Sequence, residues 1–145
     1  MAEESPLLHW GWGVAGADYR NSTYSGTTHA GNGGSPQFQA VRLSTAEDQT
    51  ILLCTSSTNS FLGILQNKPN DGDAADVGIF GVSKAVAGTT TVVAGIDLMP
   101  DSSGCLIPYS SAAGQRAVGM AITSASAVGE VFSMLIYGGH GGSVA

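Results

Sequence analysis

From Gln37 onward, apolar Phe38, Val41 and Leu43 interleave with Gln39, Arg42 and Ser44. A turn-like Thr45-Ala-Glu-Asp follows, then a second apolar stretch, Thr50-Ile-Leu-Leu-Cys-Thr. Near-alternation bounded by turn residues predicts a pair of strands. Phe61-Leu-Gly-Ile-Leu-Gln and Ala75-Asp-Val-Gly-Ile-Phe-Gly-Val-Ser-Lys-Ala-Val-Ala predict further strands. They flank Asn67-Lys-Pro-Asn-Asp-Gly-Asp, whose Pro, Asn, Asp and Gly favour a turn. Residues 89–93 are a β-branched run and residues 96–99 a shorter apolar one. The Gly-centred turn in Pro100-Asp-Ser-Ser-Gly-Cys-Leu-Ile-Pro joins two short strands. Ala117-Val-Gly-Met-Ala-Ile-Thr, a turn at Ser126-Ala-Val-Gly and Glu130-Val-Phe-Ser-Met-Leu-Ile-Tyr predict a closing hairpin. Residues 110–116 carry the one helical option, of one or two turns.

An internal echo bears on architecture. Leu62-Gly63 opens a strand whose turn ends at Gly72-Asp73, and Val118-Gly119 opens another whose turn ends at Gly129-Glu130. Two such hairpins predict an all-β domain, a small closed or nearly closed β-barrel, because closure removes exposed strand edges. Residues 1–36 hold seven glycines together with Trp10, Trp12, Tyr19 and Tyr24, and show no sustained period. They read as an extended N-terminal arm whose aromatics lie against some surface, since each removes about 150–250 Å² from water when buried. The division is therefore an arm (1–36), a barrel domain (37–137) and a Gly-rich tail (138–145).

Composition narrows the function. With 5 basic against 11 acidic residues and a net charge of −6, a phosphate-binding surface has little to work with, so nucleic acid is not an expected partner. No apolar run approaches the roughly 20 residues of a membrane helix. Glu3 and Glu4 stand where a secretory signal carries Lys or Arg, so the expected compartment is the cytoplasm in which the chain is made. Cys54 and Cys105 sit in apolar contexts and are expected to be buried free thiols.

Catalytic patterns are missing. His9 and His29 fall in the arm and His140 in the tail, with no Gly-x-Ser-x-Gly elbow. Metal-ligand spacings such as Cys-x₂-Cys do not occur. Asp71, Asp73 and Asp76 form a carboxylate cluster that departs from a calcium loop and reads as a solvated turn. Gly31-Asn-Gly-Gly lacks the Lys of a phosphate loop. The expectation is a protein that is not an enzyme, with no cofactor and no metal, working through its surface. Residues 102–145 contain only Arg116 and Glu130 as charged residues, which implies that part of that surface is covered in an oligomer.

Three stretches carry a family resemblance. Phe61-Leu-Gly-Ile-Leu-Gln-Asn-Lys-Pro-Asn-Asp-Gly-Asp-Ala-Ala-Asp-Val-Gly-Ile-Phe-Gly-Val comes first, and Ala94-Gly-Ile-Asp-Leu-Met-Pro-Asp-Ser-Ser-Gly-Cys-Leu-Ile-Pro second. The third is the pair Ala117-Val-Gly-Met-Ala-Ile-Thr and Glu130-Val-Phe-Ser-Met-Leu-Ile-Tyr. In order and spacing, residues 38–137 resemble the capsid cement, or head decoration, proteins of tailed bacteriophages of the lambda type. The resemblance implies a β-tulip-like fold and a homotrimer seated at three-fold positions on the outside of the expanded head. It implies a virion protein made in the host cytoplasm, with the major capsid protein as partner and with the shell held against internal DNA pressure.

In that setting Leu7, Leu8, Trp10, Trp12, Tyr19 and Tyr24 are the expected apolar anchors of the arm, and Arg20 its ion-pairing group, toward the capsid protein or an adjacent trimer. The alternative is that the tryptophans pack on the arm's own domain. The apolar faces of the two hairpins are the expected trimer contacts. A head fibre or receptor-binding β module is the alternative function. A major capsid protein would need a long spine helix and about twice the length.

Overall fold

The computed structural model describes residues 20–21, 37–46, 48, 50–68 and 75–137. The chain builds one sheet and then the other. Sheet A comprises β1 (Arg20–Asn21), β2 (Ala40–Leu43), β3 (Thr50–Leu53), β4 (Phe61–Leu65) and β5 (Val77–Gly78), in the order β1-β3-β2-β4-β5. Sheet B comprises β6 (Gly81–Val86), β7 (Asp97–Pro100), β8 (Leu106–Pro108), β9 (Gly119–Ala121) and β10 (Val131–Ile136), in the order β6-β10-β9-β7-β8. Every pairing is antiparallel except β1 on β3, where Arg20 lies opposite Thr50 and Asn21 opposite Ile51.

The all-β expectation holds, but the single strand expected over residues 75–87 is broken at Ile79-Phe80: β5 stays in sheet A, and Gly81, at φ 99°, turns the chain into β6 of sheet B. Barrel closure does not follow. Sheet B curls back on itself only at one parallel bridge, between Ala87 just beyond β6 and Leu106 in β8. The helical option at 110–116 is not taken up. Ser111 at φ 56° and Gly114 at φ 80° adopt the left-handed conformation, which interrupts a right-handed turn. The β-branched run at 89–93 contributes a single bridge, Val92 to Ala125, rather than a strand.

Period-two alternation places the cores. On β2, Ala40 belongs to one cluster and Val41 to another, and Ile64 and Leu65 of β4 divide in the same way. Successive strand side chains point to opposite faces, so sheet A buries apolar residues on both. One face joins Phe132, Met134, Ile136, Leu98, Leu106 and Val118 of the sheet B half in the larger core. The other gathers Val41, Ile51, Leu53, Leu65, Ala75 and Val77.

The two hairpins of the sequence echo share one device. A Cβ on Gly63 would meet the Gly78 carbonyl oxygen and Val77 Cγ1, and a Cβ on Gly119 would meet the Leu135 carbonyl oxygen and Met134 Cε, all inside contact distance. Each glycine thus lets the returning strand's backbone approach closely.

The sheets are joined at residues 38–40. Phe38, at φ 68°, donates its N–H to the Leu65 carbonyl at 2.7 Å and accepts the Val86 N–H at 3.1 Å. Ala40 donates to the Gly104 carbonyl at 2.7 Å. Gln66 Nε2 donates to Ser83 Oγ at 2.9 Å. The junction rests on directional bonds from one short segment to both sheets.

Candidate interaction surface

Among the described residues, no group of three or more His, Cys, Asp or Glu side chains is placed to hold a metal ion, and no helix is long and apolar enough to cross a membrane. Both cysteines are free and buried, as expected. Burial pushes the Cys54 thiol up to about 12 against the opposing pull of Arg42. It raises Cys105 to about 11, offset in part by the hydrogen bond from Gln39. A thiol held neutral in this way is a poor nucleophile.

Of the residues expected to contact a capsid, Leu7, Leu8, Trp10, Trp12, Tyr19 and Tyr24 lie outside the described residues, as do His9, His29, His140, Asp71 and Asp73. Arg20 is placed in β1, whose backbone pairs with β3 of its own chain. Main-chain pairing of the arm with an edge strand thus occurs within the protomer at this point.

What the fold assembles is a sheet face. Burial in β10 runs exposed, buried, half-buried, buried, half-buried, buried, so Val131, Ser133 and Leu135 turn outward from the core. The register sets Val82 of β6 opposite Leu135, Leu135 opposite Met120 of β9, and Met120 opposite Asp97 of β7. This row crosses four strands. A second row sets Lys84 opposite Ser133, with Ile122 donating its N–H to the Ser133 carbonyl at 2.8 Å. Beside the first row, Tyr137 and Phe80 follow β10 and precede β6. Phe80 is 57% exposed and Val82 56%, with Ile122, Val131 and Tyr137 each 42%.

Charge on this face is confined to its two sides. Lys84 and Asp97 are the only charged residues in the strands of sheet B. Lys84 Nζ stands 5.8 Å from the Phe38 ring centroid, over an open depression also lined by Gln66, Val82, Ser83 and Ser133. Asp97 accepts the Tyr137 hydroxyl at 2.9 Å. Burial first, then this carboxylate, raises the Tyr137 phenol to about 12.

The outward positions of the second hairpin, Met120, Ile122, Leu135 and Tyr137, form the apolar face expected of it. The sequence alone does not mark out Phe80, Val82, Lys84 and Asp97, because β10, which flanks β6, and β9, which flanks β7, are distant from them in the chain. The available signal was the nearly unbroken apolar run 131–137, since a strand apolar on both sides is a strand meant to be covered.

No protein-family model and no curated protein matches the sequence. In fold, the chain is similar to a phage head fibre base. That structure is the N base of head fibre gp8.5 of bacteriophage phi29, with a TM-score of 0.55 and 15% sequence identity. The likeness covers 77% of this chain and 89% of that one. At this identity, what is shared is the fold.

Proposed function

We propose that this chain is a structural protein of a bacteriophage head, acting as a decoration or cement protein. It binds the outer surface of the expanded shell as a trimer at three-fold positions and opposes the outward pressure of packaged DNA. The observation that carries this reading is the two-sheet fold shared with the phi29 head fibre base over most of both chains. The apolar, nearly uncharged outward face of sheet B supports it, since such a face suits assembly better than chemistry on a small substrate.

The physical logic is avidity. Three modest footprints on one rigid trimer act together, so release requires all three to open at once. The partners in this reading are the major capsid protein, two further copies of the chain and, through the arm, adjacent trimers. It needs no catalysis, no cofactor, and no contact with DNA or membrane.

A second reading, the base of a head fibre, is favoured by the same neighbour, which is itself a head fibre base. Co-sedimentation with expanded and unexpanded heads lacking this protein tests the first reading. Pelleting with expanded heads alone, together with slower DNA release from them on heating, is the expected result. Binding without any gain in head stability would favour the fibre base. Failure to pellet with either shell would overturn both.

A further inference from the structure

We propose that the outward face of sheet B is the surface on which copies of this chain meet, head to tail, with Lys84 of one copy set against Asp97 of the next. This deepens the assembly in the reading above and rests on the oligomer it contains. The occupant follows from charge. A chain of net charge −6 repels its own copies unless the meeting surfaces are locally neutral. The strands of sheet B carry one cation and one anion, Lys84 and Asp97.

The two charges lie on opposite sides of the face, with β10 and β9 between β6 and β7 and with Lys84 two residues out of the row of Asp97, about 16 Å apart at normal strand spacing. That distance is too long for a pair within one chain. The arrangement instead joins the β6 side of one copy to the β7 side of another. A contact between two different sides of the face closes into a ring when the rotation allows it, and a trimer is one such ring.

The apolar content is also appropriate. Specific interfaces bury about 800 Å² per partner, with an apolar, aromatic-enriched core and a polar rim. Val82, Met120, Ile122, Leu135 and Tyr137 supply such a core, and Ser133 with the two charges supplies polar contacts. In the separate chain, Val82 remains more than half exposed.

The test is light scattering of the full chain across a concentration series, with circular dichroism as a check on folding. Lys84→Asp places two like charges on the joined surfaces, and a rise of about tenfold or more in the dissociation constant is expected. Asp97→Lys should act similarly. The double reversal K84D/D97K restores the pairing and should recover most of the association. Val82→Asp, which places a charge in the apolar row, should weaken assembly without a partner to rescue it, while Asp76→Lys on exposed sheet A surface should change little.

A monomeric wild-type chain, single reversals that associate as the wild type does, or a double reversal no better than either single one would each overturn the proposal. Head binding is read separately by co-sedimentation. Variants that stop associating but still pellet weakly with heads support both readings. An oligomer with rescue that ignores both shells keeps this interface and removes the head reading.

Discussion

Gly119→Ala offers a direct test of how the closing hairpin is built. Replacing a strand-interior glycine by alanine ordinarily gains about 0.5–1 kcal/mol, because the unfolded chain loses freedom. Here the new Cβ points at the Leu135 carbonyl oxygen and at Met134 Cε. The thioether end of Met134 is flexible, but Met134 is fully buried among core neighbours. The Leu135 carbonyl is backbone in the β9–β10 ladder, where Leu135 faces Met120 and Ile136 faces Gly119. Moving it enough to clear a methyl disturbs that pairing. Overpacking of this kind costs about 1–3 kcal/mol, so the net expectation is a loss of about 1–2 kcal/mol, or a fall in Tm of roughly 3–7 °C for a chain of this size. Urea unfolding should show a lower midpoint at unchanged slope. Gly119→Val should be clearly worse than the alanine variant. At Gly95, with φ 95° and nothing within 4 Å of a Cβ, alanine should cost through the backbone alone, and enlarging it to serine should add little. An alanine at 119 as stable as the wild type, or a valine no worse than it, would refute the close-approach account.

Thiol labelling at pH 8 should leave Cys54 and Cys105 unmodified in the folded chain and modify both after denaturation, since pKa values near 12 and 11 hold thiolate roughly 100- to 1000-fold below an unperturbed thiol. Because both folded values lie above the ordinary 9.0, their stabilisation is full below pH 9 and is lost as pH rises from there through 11 to 12; stability that rose over that range would contradict the burial. Glu130→Ala removes the carboxylate oxygen that accepts the Ser126 N–H at 2.7 Å and the Ala127 N–H at 3.1 Å, and should cost about 1 kcal/mol in chemical unfolding, with Glu130→Gln retaining most of it. Truncation through residue 19, which leaves Arg20–Asn21 in place, should weaken pelleting with expanded heads while preserving the oligomer in light scattering; loss of the oligomer instead would show that the arm serves assembly.

Elements set by local pattern were legible from residues alone, and arrangements set by distant contacts were not. The alternation around Phe38–Leu43 and the hairpin at 117–137 each depend on side-chain period and turn chemistry within about twenty residues. The helical option at 110–116 failed for a local reason that composition conceals: left-handed Ser111 is rare for a residue other than glycine. Barrel closure failed for a global one. Edges are removed by joining all strands in one ring and only managed by layering two sheets, and the hairpin pattern is common to both. Phe38 decides between them, since its left-handed backbone bonds Leu65 on one side and Val86 on the other, a conformation no propensity assigns to phenylalanine.

The surface follows the same division. The scarcity of charge after residue 101 is visible by inspection, and it directs attention to the hairpin bearing Met120, Ile122, Leu135 and Tyr137. The meaning of Lys84 and Asp97 depends on register. Only when β10 has paired with β6 on one edge and β9 on the other does Val82 align with Leu135, Met120 and Asp97, and a slip of one residue would turn each of these side chains to the opposite face. Gly119 tightens the β9–β10 approach and thereby helps hold that register. The glycine of the internal echo and the charges of the outward face are therefore coupled through the β9–β10 register: a substitution at Gly119 that shifts β9 against β10 should disturb copy-to-copy association as well as stability, although Gly119 is itself buried beneath that outward face.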